Sequence, residues 1–196
     1  MVLGYSHLDT GAMYRCTALA SKKRGIDPND EAALTAMLDE MKISFDPAGN
    51  VYLNNEDVSK QIRENEISML TSSISAHPKV RERLVALQQQ MARDKGFIMD
   101  GRDIGTVILP NADVKIFLTA TAEDRAKRRY DQLLQMGTVV DFDELLEEIK
   151  QRDYNDSHRD IAPLKQAADA ILVDTTGNTL EESIALLREL ILKKLK

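Results

Sequence analysis

The chain of 196 residues carries a formal net charge of −6, with 43% hydrophobic and 30% charged residues. This length suffices for one globular α/β domain with a small insert, and the acidic balance argues against a protein that coats nucleic acid or an anionic membrane. The single cysteine, Cys16, excludes an internal disulfide, the three histidines lack ligand spacing, and no apolar run approaches the roughly 18 residues of a membrane span. The start MVLGYSH has neither the basic nor the long apolar region of a signal peptide, so a cytoplasmic protein is expected.

The first half of the chain predicts helices interrupted by short strands. In chain order the segments are a strand over 5–9, a helix over 11–25 that ends at Gly25, a helix over 31–41, a β-hairpin formed by 42–46 and 50–54, short helical pieces over 56–76, and an amphipathic helix over 79–96 that Pro78 opens.

The second half predicts buried strands that alternate with charged helices. The segments are strands over 97–101, 114–120 and 170–176, and helices over 122–137, 141–157 and 179–195, the last with Thr179 and Glu182 spaced as a capping box. This alternation predicts an α/β fold in which a parallel sheet has helices on both faces. The segment from about 30 to 76 breaks the alternation and is interpreted as an insert on the substrate side.

Three predicted strands end in an aspartate: Asp9, Asp100 and Asp174. Open α/β sheets bind ligands outside the carboxyl ends of their strands, so Asp9 and Asp100 are expected to face one cleft, with Asp174 close by. The alternative is that each carboxylate caps a helix or a turn, which we favour for Asp174.

The run DGRDIGTVILP, residues 100–110, combines turn glycines with charged groups. Arg102 and Asp103 place a fork-shaped donor beside a group that only accepts hydrogen bonds. Such a pair fits a ligand that has an anion and a polar edge. The alternative is a salt bridge within a loop.

Arginines are concentrated in two later stretches, RAKRR at 125–129 and RDYNDSHRD at 152–160. Arg152, Asp156 and Arg159 are four and three residues apart, which predicts one shared helix face. Arginines gathered at a cleft would stabilise a transferring phosphoryl group, whereas on a solvated face they would form internal ion pairs. Nucleic-acid binding by RAKRR is disfavoured because acidic residues flank it and no aromatics interleave it.

These stretches, together with LDTGAMYR, PKVRERL and EEIKQRDYNDSHRDIAPL, closely resemble the bacterial cytidylate kinase family, in order over nearly the whole chain. The resemblance implies a P-loop nucleoside monophosphate kinase fold in one domain over 1–196, with an inserted nucleotide-binding region over about 30–76 and a lid over about 122–160. It implies ATP-dependent phosphorylation of CMP and dCMP to CDP and dCDP in pyrimidine metabolism, with ATP and Mg²⁺ as cofactors. A cytoplasmic monomer without a nucleic-acid or membrane partner is expected.

The resemblance also implies roles for individual residues. Contacts with the nucleoside monophosphate at the first loop are implied for Asp9, Thr10 and Arg15, and recognition of cytosine for Ser72, Arg81 and Asp103. Phosphate contacts are implied for Arg102 and Arg159, and ribose contacts for Arg152 and Asp156. Arg128 and Arg129 are implied as residues of the lid that closes on ATP. Asp100 is expected to contribute to substrate binding from its strand end. The catalytic set is then Arg102, Arg128, Arg129 and Arg159, and no metal ligand is predicted.

The 196 residues contain no Gly-Lys-Ser/Thr sequence, although members of this family begin with a strand, a G-x-x-x-x-G-K-[ST] loop and a helix. The first match to the family is at Leu3-Gly4-Tyr5. The expectation is therefore that the central first strand, the P-loop and most of the first helix are missing, which would leave a gap in the sheet between 97–101 and 114–120. A CMP-binding protein without catalysis and an inactive remnant stay open as alternatives.

Overall fold

Local sequence signals set the helix ends in the computed structural model, which describes residues 4–93 and 96–195. Gly25 follows the first helix in the left-handed conformation, with φ 65°, as the sequence predicts. Pro78 is the first residue of its helix, and Thr179 and Glu182 form the expected capping box. The end of the helix expected over 79–96 and the family match at Leu3 include residues outside the described part of the chain.

The described residues divide into two units, one that ends at Ile108 and one that begins at Leu109. The elements of the N-terminal unit are β1 (Ser6–Asp9), α1 (Thr10–Arg24), α2 (Glu31–Glu40), β2 (Ile43–Phe45), β3 (Val51–Leu53), β4 (Glu56–Asp57), α3 (Asn65–Ile74), α4 (Pro78–Met91) and β5 (Phe97–Asp100), with short turns of 3-10 helix at Gln61–Arg63 and of π-helix at Ile104–Ile108. Those of the C-terminal unit are β6 (Ile116–Thr119), α5 (Ala122–Gln135), α6 (Phe142–His158), β7 (Ile171–Asp174) and α7 (Leu180–Lys194).

The core of the N-terminal unit surrounds α1, which packs against α3, α2, α4 and β5. The largest fully buried side chains include Leu8, Met13, Leu34, Ile67 and Leu84. Cys16 lies in the same core, and burial raises the pKa of its thiol to about 12. The core thus fixes the position of α1, which begins immediately after Asp9 at the end of β1.

Both pairs of expected sheet strands are parallel, which confirms the α/β class. In the N-terminal unit β1 pairs with β5, and β2, β3 and β4 form the antiparallel sheet that contains the predicted hairpin. In the C-terminal unit β6 pairs with β7. Within residues 4–93 and 96–195, β5 and β6 belong to different sheets. The missing central strand stays a prediction.

The expectation that the strands are fully buried is wrong. Ile98 of β5 is 41% exposed, Leu118 of β6 is 54% exposed and Leu172 of β7 is 57% exposed. The physical reason is that these side chains project from sheet faces that the other described residues cover only in part. No helix in the described part of the chain is long and apolar enough to cross a lipid bilayer.

Candidate functional site

The ends of β1 and β5 bring the first two motif loops together. The parallel register places Asp9 directly beside Asp100, and the buried Thr10 hydroxyl donates to the Asp100 backbone oxygen at 2.8 Å. Asp9 accepts from the Ala12 amide at 2.9 Å, so it caps α1, and its second oxygen lies 3.7 Å from Arg15 Nη1. Asp9 is therefore both a helix cap and part of a charged cluster with Arg15.

Asp100 belongs to a pair that sequence reasoning missed. His7 Nε2 lies 2.5 Å from Asp100 Oδ1. Partial burial and the charge of Asp9 raise the pKa of the Asp100 carboxyl, whereas His7 and the exposed Arg102 oppose that shift. The period of two in β1, which puts His7 on the same face as Asp9, was the available signal.

Gly101 is required by close packing at the start of the second loop. A Cβ at this position would lie 2.3 Å from Thr10 Oγ1 and 2.8 Å from Ile104 Cδ1, well inside contact distance. Because Thr10 is itself anchored to the Asp100 backbone, the loop cannot move away without losing that hydrogen bond. Glycine here fixes the path of the chain toward Asp103.

Arg81 of α4 and Asp103 form a buried ion pair. Arg81 Nη1 also donates to the Ser75 backbone oxygen at 3.3 Å, and its guanidinium carbon lies 5.5 Å from the centre of the Tyr14 ring. Arg81 Nε has no hydrogen-bond partner among residues 4–93 and 96–195. The structure thus pairs a buried donor and a buried acceptor, the two residues for which the resemblance implied a shared role.

Ser72, the third residue expected to read cytosine, lies on α3 with an exposed side chain. Its backbone oxygen accepts from the Ser75 hydroxyl at 3.0 Å. Arg81 contacts the C-cap residue of α3, Ser75, and does so through the Ser75 backbone oxygen. The role of Ser72 stays a prediction.

In the C-terminal unit, the arginines of α5 make internal contacts. Arg125 forms a two-pronged ion pair with Asp153 of α6, which holds the two helices together. Arg128 donates to the Thr175 backbone oxygen at 2.6 Å and lies 2.5 Å from Asp124. Arg129 donates to Gln132 at 2.8 Å.

The predicted shared helix face of Arg152, Asp156 and Arg159 is only partly correct. Arg152 and Asp156 lie in α6, but the helix ends at His158 and Arg159 is its extended C-cap residue. Arg159 Nε donates to the Ala162 oxygen at 2.7 Å, and its Nη1 lies 3.8 Å from Asp156. The pair therefore survives although Arg159 leaves the helix, because the chain turns back at Ala162, where φ is 49°.

Asp174, at the end of β7, accepts from the Thr176 amide at 2.8 Å and from its hydroxyl at 2.6 Å. These two hydrogen bonds lower the pKa of its carboxyl. Asp174 is a turn cap, as the alternative interpretation held.

A cleft of about 290 Å³ in the N-terminal unit lies beside β1. It is lined by Ser6, His7, Leu8, Ser44, Phe45, Asp46, Pro47, Met91 and Phe97. His7 thus faces this cleft and also contacts Asp100. Within residues 4–93 and 96–195, no group of three or more His, Cys, Asp or Glu side chains converges as a metal site.

Comparison with known proteins places this geometry in a family. The family model described as cytidylate kinase matches residues 1–193. The chain belongs to the cytidylate kinase family. It is 50% identical over 197 residues to a cytidylate kinase of Caldicellulosiruptor bescii, which covers 99% of this chain and 87% of that protein. It is 46% identical to a cytidylate kinase of Leuconostoc mesenteroides (96% and 86% covered) and 51% identical to one of Streptococcus mutans (89% and 79% covered).

The family explains why the motif residues lie at strand ends. Nucleotide kinases must orient anions, and the paired ends of β1 and β5 place Asp9 and Asp100 side by side, with Thr10 and Arg102 just after them in the chain.

Proposed function

We propose that this chain functions in the transfer of the terminal phosphoryl group of ATP to CMP or dCMP, which forms CDP or dCDP in pyrimidine nucleotide metabolism. The observation that carries the substrate choice is the buried pair of Arg81 and Asp103. Membership of the cytidylate kinase family supports the reaction type. A cytoplasmic monomer that acts on free nucleotides is part of this proposal.

The pair suits cytosine because its two members offer opposite hydrogen-bonding groups. Cytosine presents an exocyclic amine beside ring acceptors. The Asp103 carboxylate accepts from the amine, and Arg81 donates to the acceptors, with its buried Nε still unsatisfied among the described residues. Uracil would present an oxygen to the carboxylate, and leaving a buried polar group unpaired costs about 1–3 kcal/mol.

The remaining predicted residues supply the charge that phosphoryl transfer needs. In the N-terminal unit, Arg15 and Arg102 would bind the CMP phosphate beside Thr10 and hold it for in-line attack. In the C-terminal unit, Arg159 would contact phosphate, with Arg152 and Asp156 at the ribose and Arg128 and Arg129 as lid residues. Positioned arginines of this kind stabilise the charge that develops on the transferred group.

Magnesium would enter this reaction together with ATP. The described residues do not form a metal site of three or more acidic, histidine or cysteine ligands. Magnesium commonly binds through substrate phosphates and water with only one or two carboxylates. We therefore assign no residue of this chain to the metal.

A second candidate function follows from the residues available to bind ATP, the phosphoryl donor. Within the 196 residues there is no Gly-Lys-Ser/Thr sequence to cradle the ATP phosphates and hold magnesium through a hydroxyl. Removing one oriented electrostatic contact can lower a rate by about 10²–10³, and removing a whole cradle also removes positioning. We therefore propose that these residues alone bind CMP and turn over near background, which is the non-catalytic CMP-binding alternative.

A coupled assay of ADP formation tests both proposals. Residues 1–196 would be compared with the same chain preceded by a strand, a GK[ST] loop and a helix, and with a version whose loop lysine is alanine. We expect CMP-dependent turnover only in the intact extended form. Turnover by residues 1–196 at the level of the extended form would contradict the proposed impairment, and no CMP-dependent turnover in either form would contradict the proposed reaction.

A further inference from the structure

We propose that His7 is a positioning residue for the acceptor phosphate: it holds the Asp100 carboxylate and offsets its negative charge at the loop where CMP is proposed to bind. This inference rests on the proposed function for the identity of the ligand. It goes beyond that function because neither the motif nor the resemblance assigns a role to His7.

The geometry that carries the inference is the parallel ladder of β1 and β5. In its register, His7 lies beside Ile98, and Asp9 lies beside Asp100. Residues two apart on a strand share a face, so all four side chains lie on one face of the ladder. Both His7 and Asp100 are more than half exposed, and the 2.5 Å contact joins them across the strands.

The electrostatic need for such a partner follows from the neighbouring carboxylates. An anionic phosphate bound by Arg15 and Arg102 would lie near both Asp9 and Asp100, and like charges repel. Arg15 lies 3.7 Å from Asp9 and so compensates one carboxylate. His7, when it carries a proton, compensates the other together with Arg102.

The charged groups around this pair come from each neighbouring element. Asp9 is on β1, Arg15 is on α1, and Arg102 follows β5, while Asp46 of the hairpin turn lines the same cleft as His7. Histidine is the side chain that ordinarily changes charge between pH 5 and 8. CMP affinity is therefore expected to fall across this range more steeply with His7 present than without it.

The first experiment measures the pair without nucleotide. Carbon-detected NMR of the aspartate carboxyl groups, with Asp100→Asn to assign the signal, follows the titration of Asp100 in the full chain. We expect His7→Gln to raise the pKa of Asp100 and Asp9→Asn to lower it, because the His7 interaction opposes the shift that Asp9 promotes. An unchanged Asp100 titration in His7→Gln would overturn the inference.

The second experiment measures binding by calorimetry with CMP and with cytidine, which lacks the phosphate, from pH 5.5 to 8. His7→Gln is expected to weaken CMP binding about two- to fivefold at the low end, as for a partly exposed ion pair, and to leave cytidine binding unchanged. His7→Lys, which keeps the positive charge, is expected to restore CMP affinity across the range. His158→Gln, at an exposed histidine of α6, is the matched control.

The outcomes separate this inference from the proposed function. Equal weakening for CMP and cytidine, or a His7→Lys variant that behaves like His7→Gln, would overturn the role of His7 and leave CMP binding intact. Failure of the wild-type chain to bind CMP would overturn the proposed function and with it the phosphate role of His7, whatever the carboxyl titration shows.

Discussion

The two units each contain an arginine–aspartate pair that joins separate elements, yet the pairs differ in their surroundings. The side chains of Arg81 and Asp103 in the N-terminal unit are 4% and 6% exposed, whereas those of Arg125 and Asp153 in the C-terminal unit are 37% and 34% exposed. Taking a charge pair out of water carries a large desolvation penalty, while a partly exposed pair is screened and contributes little. The buried pair in the N-terminal unit is therefore a candidate for ligand binding, whereas the partly exposed pair in the C-terminal unit connects α5 to α6.

Burial distinguishes the arginines of this chain better than their clustering in the sequence does. The run at 125–129 has the highest density of arginines in the sequence, but its first residue, Arg125, pairs with Asp153 and so connects α5 to α6. Arg81 lies outside that run, and its importance comes from burial beside Asp103 and Tyr14. Burial separates the two roles, and the following substitutions test that separation.

The largest effect is expected from Arg81→Ala. Removing one member of a buried ion pair leaves the other charge uncompensated, which costs about 3–5 kcal/mol in the free energy of unfolding. Denaturant unfolding checks this, with Arg83→Ala as the control on the same helix. Arg83 pairs with Asp39 at the surface, so its loss should cost under about 1 kcal/mol.

A decrease of less than about 1 kcal/mol in the free energy of unfolding of Arg81→Ala would contradict the distinction between buried and exposed pairs. It would mean that the buried charge of Asp103 finds another partner. Asp103→Asn, which keeps the shape of the side chain, shows whether the charge or the volume is responsible.

An intermediate effect is expected from Gly101→Ala, which displaces the loop that carries Asp103 without changing any charge. The added Cβ would overlap Thr10 Oγ1 and Ile104, and such overpacking typically costs about 1–3 kcal/mol. Thermal unfolding and the chemical shifts of Thr10 report the change. Wild-type stability with unshifted Thr10 signals would show that the loop has more room than the structure gives it.

The smallest effect is expected from Arg125→Ala in the C-terminal unit. Because the pair with Asp153 is about one-third exposed, its loss should cost at most about 1 kcal/mol, and a double-mutant cycle with Asp153→Asn isolates the coupling. A coupling as large as that of Arg81 and Asp103 would erase the distinction between the two regions.

Much of the local structure could be predicted from the sequence because the signals are local. The helix end at Gly25, the start at Pro78 and the capping box at Thr179 each depend on residues a few positions apart. The resemblance placed Arg81 and Asp103 together, and the structure pairs them.

The features that the sequence did not reveal depend on long-range geometry. His7 and Asp100 are 93 residues apart, and only the register of β1 against β5 brings them into contact. Arg159 was placed on a helix face by spacing alone, but α6 ends one residue earlier. The partial exposure of Leu118 and Leu172 likewise depends on what packs over each sheet face, which no apolar run of four residues specifies.

Calorimetric titration of CMP and UMP into three forms of the chain tests most directly whether Asp103 reads cytosine through its carboxylate. These are the wild type, Asp103→Asn, and Asp39→Asn, which removes the surface partner of Arg83. We expect the wild type and Asp39→Asn to prefer CMP by roughly 5- to 150-fold, equivalent to the 1–3 kcal/mol of an unpaired buried group, and Asp103→Asn to lose most of that preference. An equal loss of affinity for CMP and UMP in Asp103→Asn, or an unchanged preference, would contradict the account.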